Sequence, residues 1–248
     1  MKHSTIQSPS GKIAIWRLKT PKRVIEGGAI RDGEKFTAEE YSERMRSHLG
    51  AEYRRFARNA DKILHLPKCA RVLEIGPGPG WAGIELCKLR GDITLVAVEA
   101  SSDMIRASKK NAESEGVADR TEYKLGVVED LSGIESGSFD AVISRDSLHH
   151  WTDPSRAFAE IKRVLNDTGG VYVTDSKRNL GLAERLVVRA VCKRIGKDMS
   201  KGWTESIGAS WTPAEIRAIL AEREIRDWSV HPTFLDLEIG KRTECQPK

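Results

Sequence analysis

Ala70-Arg-Val-Leu-Glu-Ile-Gly-Pro-Gly-Pro-Gly80 is the stretch whose reading decides the fold. Arg71 to Ile75 is a short apolar run of strand type that breaks into three glycines at alternate positions, Gly76, Gly78 and Gly80. Trp81 to Arg90 then follows a helical pattern, with Gly91 as its stop. Strand, glycine turn and helix form an anion- and nucleotide-binding corner, because backbone approaches a ligand only where no Cβ intervenes. A dinucleotide fingerprint counted from Gly76 and Gly78 needs its third glycine at position 81, which is Trp81. Glu74 sits just ahead of the glycines, where an acid suits a cationic amine better than a pyrophosphate.

Glu74-x-Gly76-x-Gly78-x-Gly80 on such a turn resembles the first motif of the class I S-adenosylmethionine-dependent methyltransferases. That resemblance assigns Gly76, Pro77, Gly78 and Gly80 to the cofactor, with Glu74 toward its amine. Ile93 to Val98 reads as a second buried strand ending in Glu99, and Ser101-Ser-Asp-Met-Ile opens a helix to about Glu115. An acid at the tip of this strand is placed to accept hydrogen bonds from both ribose hydroxyls. Glu99-Ala100-Ser-Ser-Asp-Met104 is similar to the corresponding methyltransferase segment, which puts Ala100 and Met104 beside the nucleoside. Glu122 to Val128 is the third strand. Here the chain departs from the family's common Gly-Asp-Ala, having Gly126-Val127-Val128-Glu129. The acid that would contact the adenine amine is replaced by Val127, leaving Val128 backbone, Glu129 or packing to hold the base.

Ser138 to Ser144 is the fourth strand, leading into Arg145-Asp-Ser-Leu-His-His-Trp-Thr-Asp-Pro154. Asp153 is a good N-cap and Pro154 a good first helical residue, with Gly169-Gly170 expected to end that helix. The run from Phe139 through Leu148-His-His-Trp151 to Gly170 resembles methyltransferases of the ubiquinone/menaquinone-biosynthesis type. By that resemblance Ser144 and Arg145 border the cofactor, and the candidate bases at the strand tips are His149, His150 and Asp146. Gly170 to Asp175 completes a fifth strand.

The flanks are read from local signals. Residues 1–36 are polar and basic, with Ile13 to Leu18 a candidate strand and 19–28 a turn region. Thr37-Ala-Glu-Glu40 is a capping box opening a helix to about Leu49, and a second helix runs from Ala51 to Leu66. Leu182 to Ile195 reads as a helix with Arg185, Arg189 and Lys193 on one side, a solvated basic face or a surface for an anionic partner. Gly202 to Ser210 reads as a loop over the substrate side. Thr212-Pro-Ala-Glu215 is a further capping box, and Ile225 to Val230 and Thr233 to Ile239 are two closing strands.

These elements predict an α/β fold, a doubly wound Rossmann-like sheet of seven strands whose last strand is, by resemblance, antiparallel. Residues 1–66 form an N-terminal helical extension, 67–240 the methyltransferase domain with a helical lid insertion at about 178–211 after strand five, and 241–248 a tail. Composition limits the function. With 248 residues, net charge +5 and 39% hydrophobic residues, the chain suits one soluble α/β domain with an anionic partner permitted. It shows no apolar run of bilayer length and no secretory leader. Its four scattered cysteines suit reduced thiols in the cytoplasm and give no zinc pattern. An Asn/Asp-Pro-Pro-Tyr-type loop, a Pro-Cys nucleophile and an aromatic-basic RNA module are lacking, which points away from nucleic acid. The expectation is an enzyme that uses S-adenosyl-L-methionine to methylate a small molecule or peptide. An RNA-directed methyltransferase and a nicotinamide-dependent oxidoreductase are the alternatives.

Overall fold

The computed structural model describes residues 21–24 and 36–242. The expected strand at 13–18 and most of the turn region at 19–28 lie outside the described residues. Seven strands, β1 (Arg71–Ile75), β2 (Thr94–Glu99), β3 (Thr121–Leu125), β4 (Phe139–Arg145), β5 (Leu165–Ser176), β6 (Ser229–Pro232) and β7 (Asp236–Lys241), form one sheet. Their order is β3-β2-β1-β4-β5-β7-β6. The first five are parallel, and β7 inserts antiparallel between β5 and β6. The order reverses between β1 and β4, so the crevice beyond their C-terminal ends is the binding edge of such a sheet.

Successive residues of β1 show why both faces need helices. Val72 and Leu73 are fully buried, yet they belong to opposite cores. One face is covered by α1 (Ala38–Leu64) and α2 (Trp81–Leu89), the other by α4 (Pro154–Val164) and α7 (Pro213–Glu222). The helix α3 (Ser102–Ser114) packs beside β2, β3 and α1. Both expected capping boxes are present, Thr37 with Glu40 and Thr212 with Glu215.

Four expectations are corrected. The two N-terminal helices are one, α1, continuous through Gly50. Glycine inside a helix costs about 1 kcal/mol against alanine, and burial of Met45 on one side with Phe56, Ala60 and Leu64 on the other outweighs it. Gly169 and Gly170 do not stop α4, which ends at Val164; they lie in β5, where its register against β4 shifts. Asn166 makes that irregularity by accepting Thr168 N–H at 3.1 Å through its own side chain. Most of the loop foreseen at 202–210 is helix, α6 (Lys197–Ala209), following α5 (Leu182–Cys192). Closing strands β6 and β7 are shorter and later than expected, since residues 225–228 lie outside any strand.

Candidate cofactor and acceptor site

Gly76, Gly78 and Gly80 all take positive φ, +60°, +53° and +83°. At Gly76 a Cβ would fall 2.0 Å from Ser147 Oγ, so the β1 and β4 tips approach as closely as they do only through glycine. Gly78 is different: a Cβ there would meet nothing within 4 Å. Its N–H donates to Glu99 Oε2 at 3.0 Å, while Ser101 N–H donates to Glu99 Oε1 at 2.9 Å. Each carboxylate oxygen therefore keeps acceptor capacity for a further donor. Ser108 Oγ (2.7 Å from Gly78 O) and Asn111 Nδ2 (donating to Pro79 O at 2.8 Å) hold the turn from α3. Ser42 of α1 accepts from Asn111 and, through its carbonyl, from Trp81 Nε1. Thus α1 is fastened to the glycine turn and does more than pad a sheet edge.

Trp81 does not exclude a dinucleotide fingerprint. Counted one step later, Gly78, Gly80 and Gly83 have the Gly-x-Gly-x-x-Gly spacing. Gly83 also performs the third glycine's packing role, since a Cβ there would fall 2.2 Å from Glu74 Oε2 and 2.4 Å from Leu95 Cδ2. Glu74 itself is buried beneath the first turn of α2, with Oε1 accepting Gly83 N–H at 3.1 Å and Oε2 lacking a hydrogen-bond partner. Burial, reinforced by the charge of Glu99, pushes its carboxyl up to about 8 despite the Gly83 bond.

Other residues singled out from sequence are engaged within the protein. Ser144 Oγ donates to Ile75 O at 2.8 Å, tying β4 to β1. Glu129 Oε1 accepts from Thr152 N–H (2.7 Å), Thr152 Oγ1 (3.1 Å) and Asp153 N–H (3.2 Å), anchoring the entry to α4. Val128 is buried in the core and Val127 is exposed. Pro77 is buried, Ala100 is exposed, and Met104 is buried against Ala38, Ala107 and Tyr41.

Beyond the tip of β4, Asp146 has φ +51° and pairs with Arg145 at 3.0 Å, whose guanidinium lies 4.9 Å from the Tyr53 ring centroid. The 3-10 turn Leu148–His150 presents both histidines. His149 is buried, and its Nδ1 lies 2.8 Å from Asp175 Oδ1. His150 packs against it, the two rings tilted by 46° with centroids 4.0 Å apart. Asp175 also accepts backbone N–H groups of His149 (2.6 Å) and Ser176 (2.7 Å). Burial raises its pKa, an effect His149 offsets. Asp236 at the start of β7 is pushed up to about 6 by burial and by nearby Asp146. Asp175, Asp236 and Tyr53 were not singled out from sequence. Asp175 carries a signal nonetheless, an acid closing the apolar run Val171-Tyr-Val173 at a strand tip. Among the described residues no group of three or more His, Cys, Asp or Glu is placed to hold a metal, and no helix is long and apolar enough to cross a membrane.

Residues 73–173 match the family model described as a methyltransferase domain. The chain is 28% identical over 154 residues to a ubiquinone biosynthesis O-methyltransferase of Xanthomonas axonopodis pv. citri, covering 62% of each chain. It is 27% identical to the like-named protein of Xanthomonas oryzae pv. oryzae, covering 63% of each. The chain thus spans less than two thirds of the length of these relatives. A Methanococcus maripaludis structure, a candidate S-adenosyl-L-methionine-dependent methyltransferase, superposes with TM-score 0.68 at 23% identity, over 88% of this chain and 99% of that one. A SAM-dependent methyltransferase of Aquifex aeolicus gives TM-score 0.60 at 15% identity, over 83% and 98%. These two likenesses concern the fold.

Proposed function

We propose that this chain is a class I S-adenosylmethionine-dependent methyltransferase that methylates a hydroxyl of a small-molecule acceptor in the cytoplasm. The observation that carries the proposal is the Glu99 carboxylate. It is held at the tip of β2 by Gly78 and Ser101 N–H groups beside a glycine turn that leaves space open above Gly78.

The residues fit the cofactor. Glu99 would take the ribose hydroxyls, and the turn Gly76-Pro77-Gly78 with Gly80 would admit the amino-acid portion. Glu74, buried behind them beneath α2, would face the amine from below the turn, and Ala100, Met104 and Val128 would border the nucleoside. When bound, S-adenosyl-L-methionine supplies an already activated methyl group. The protein's work is then alignment and exclusion of water. Glu129, spent on Thr152 and Asp153, serves the adenine side by fixing the loop rather than by reaching the base.

Oxygen as acceptor follows the names of the relatives, and it requires that a proton leave. His149 is suited to hold that proton: Asp175, 2.8 Å from its Nδ1, orients the ring and would stabilise its protonated form. His150 and Asp146 flank it, and Arg145 and Tyr53 shape the wall. The pair α5–α6 forms the lid, since α6 packs on the Leu148–His150 turn.

Calorimetry with S-adenosylmethionine, its demethylated product and NAD tests the cofactor, and methyl transfer from labelled cofactor to phenolic, amine and peptide acceptors tests the rest. Tighter binding of NAD than of S-adenosylmethionine would overturn the proposal. Transfer only to amines would overturn the hydroxyl assignment alone.

A further inference from the structure

The outer face of α5 keeps Arg189 and Lys193 of the expected basic side but not Arg185. Arg185 is turned inward, half-buried, with Nε donating to Leu180 O at 3.0 Å. Val188 is the buried residue of the helix, and Glu184 pairs with Lys177 at 3.4 Å. What faces outward is Leu182 at 68% exposure and Leu186 at 67%, with Ala183, Val187 and Ala190 also exposed. At 100° per residue, Leu182, Leu186, Arg189 and Lys193 fall on one stripe, apolar along its first half and basic along its second. Arg194 and Lys197 continue the basic end, and all four of these cations are exposed. None of the four has an ion-pair partner among the described residues. Between Leu182 and Lys201 there are six Lys and Arg against two acids, so the segment carries most of the chain's +5.

We infer that α5 seats this protein on an anionic phospholipid surface, with Leu182 and Leu186 in the headgroup–acyl boundary and Arg189, Lys193, Arg194 and Lys197 on lipid phosphates. Water is a poor solvent for two leucines left two-thirds exposed side by side, and a helix lying in a bilayer surface buries such a strip. The basic end supplies the charge complementarity, and the long Lys and Arg stems let their heads stay at phosphate depth. A nucleic acid would use the cations and leave the leucines in water. The stripe has no aromatic ring for a base to stack on. Because α5 begins six residues after the end of β5 and is followed by α6 on the His149 turn, docking would set the acceptor edge beside the bilayer.

The test is sedimentation of the full chain with phosphatidylcholine vesicles and with vesicles in which phosphatidylglycerol replaces part of that lipid. Wild type should sediment with the anionic vesicles, be released by salt, and ignore the neutral ones. Arg189→Gln/Lys193→Gln should lower partitioning about 30-fold, each cation near an anionic surface being worth ~1 kcal/mol. Leu182→Ser/Leu186→Ser should lower it about tenfold or more while leaving the salt dependence in place. Both variants change exposed side chains, and matching thermal melts would show the fold intact. Equal sedimentation of wild type and both variants, or retention of an RNA or acidic protein with vesicles ignored, would overturn the inference. The assay needs neither cofactor nor acceptor, so its failure would leave the methyl-transfer proposal standing.

Discussion

Glu99 Oε2 accepts the N–H of Gly78 at 3.0 Å, joining the tip of β2 to the glycine turn that follows β1, 21 residues earlier. One carboxylate therefore shapes the turn while each of its oxygens keeps capacity for a further donor. Removing it should weaken the cofactor site in two ways at once.

Glu99→Ala is expected to cost about 10- to 100-fold in S-adenosylmethionine affinity, the loss of charge-assisted bonds worth ~1.5–3 kcal/mol each, offset in part by water. Glu99→Gln should also lose affinity, because an amide places a donor against one of two N–H donors. Calorimetry on both variants decides it, and unchanged affinity in the alanine variant would remove Glu99 from the site.

Gly83→Ala should destabilise the protein although alanine is the better helix former. The new Cβ would fall 2.2 Å from Glu74 Oε2 and 2.4 Å from Leu95 Cδ2. Overpacking of this kind costs about 1–3 kcal/mol, against a propensity gain of about 1 kcal/mol. Denaturant unfolding should show a lower midpoint, and a raised midpoint would mean that β1 and α2 are less tightly apposed than described.

Glu74 gives the stability a pH dependence of defined sign. Its carboxyl is raised from the ordinary 4.5 to about 8 in the folded protein, chiefly by burial. A raised carboxyl binds its proton more tightly folded than unfolded. The stability it contributes is thus full below about pH 4.5, the ordinary value, and is lost as pH rises toward 8. Across that window the slope should approach ~1.4 kcal/mol per pH unit. Glu74→Gln should flatten it, and unfolding free energies across that range, compared between wild type and variant, provide the check. An equal slope in both would exclude Glu74 as its source.

Asp175→Asn should lower turnover with little change in cofactor affinity, because Asp175 orients His149 and touches neither the glycine turn nor Glu99. An amide at this position cannot accept all three N–H groups that now face the carboxylate. Some stability should be lost too, on the order of 1–3 kcal/mol for a buried unsatisfied group. The pH profile of turnover separates orientation from simple loosening. A displaced profile supports His149 as the proton holder, while His150→Ala should cost less than ~10²-fold and leave the profile in place.

The glycine corner, the five parallel strands, and the Thr37, Asp153 and Thr212 caps were all legible in the sequence. They depend on neighbours within a few residues: alternation along a strand, a side-chain oxygen three residues before an N–H, a glycine where φ turns positive. The tip position of Glu99 was legible for the same reason, being the last residue of an apolar run. Other features depend on partners far along the chain. Whether Gly50 breaks a helix or is carried through depends on what Phe56 and Leu64 pack against, and Gly202 to Ala209 became helix by the same kind of support. Ser144 spends its hydroxyl on Ile75, 69 residues away, and Glu129 its carboxylate on Thr152, 23 away. Only packing could decide which acids point at a ligand and which hold the scaffold, because a carboxylate goes to the N–H groups that the fold brings nearest. Local chemistry therefore wrote the sheet and its binding edge into the sequence. The partners of Glu74, Glu129 and Asp175, and the apolar outer face of α5, were set by the tertiary structure, where burial and long-range hydrogen bonding outweigh the pattern along the chain.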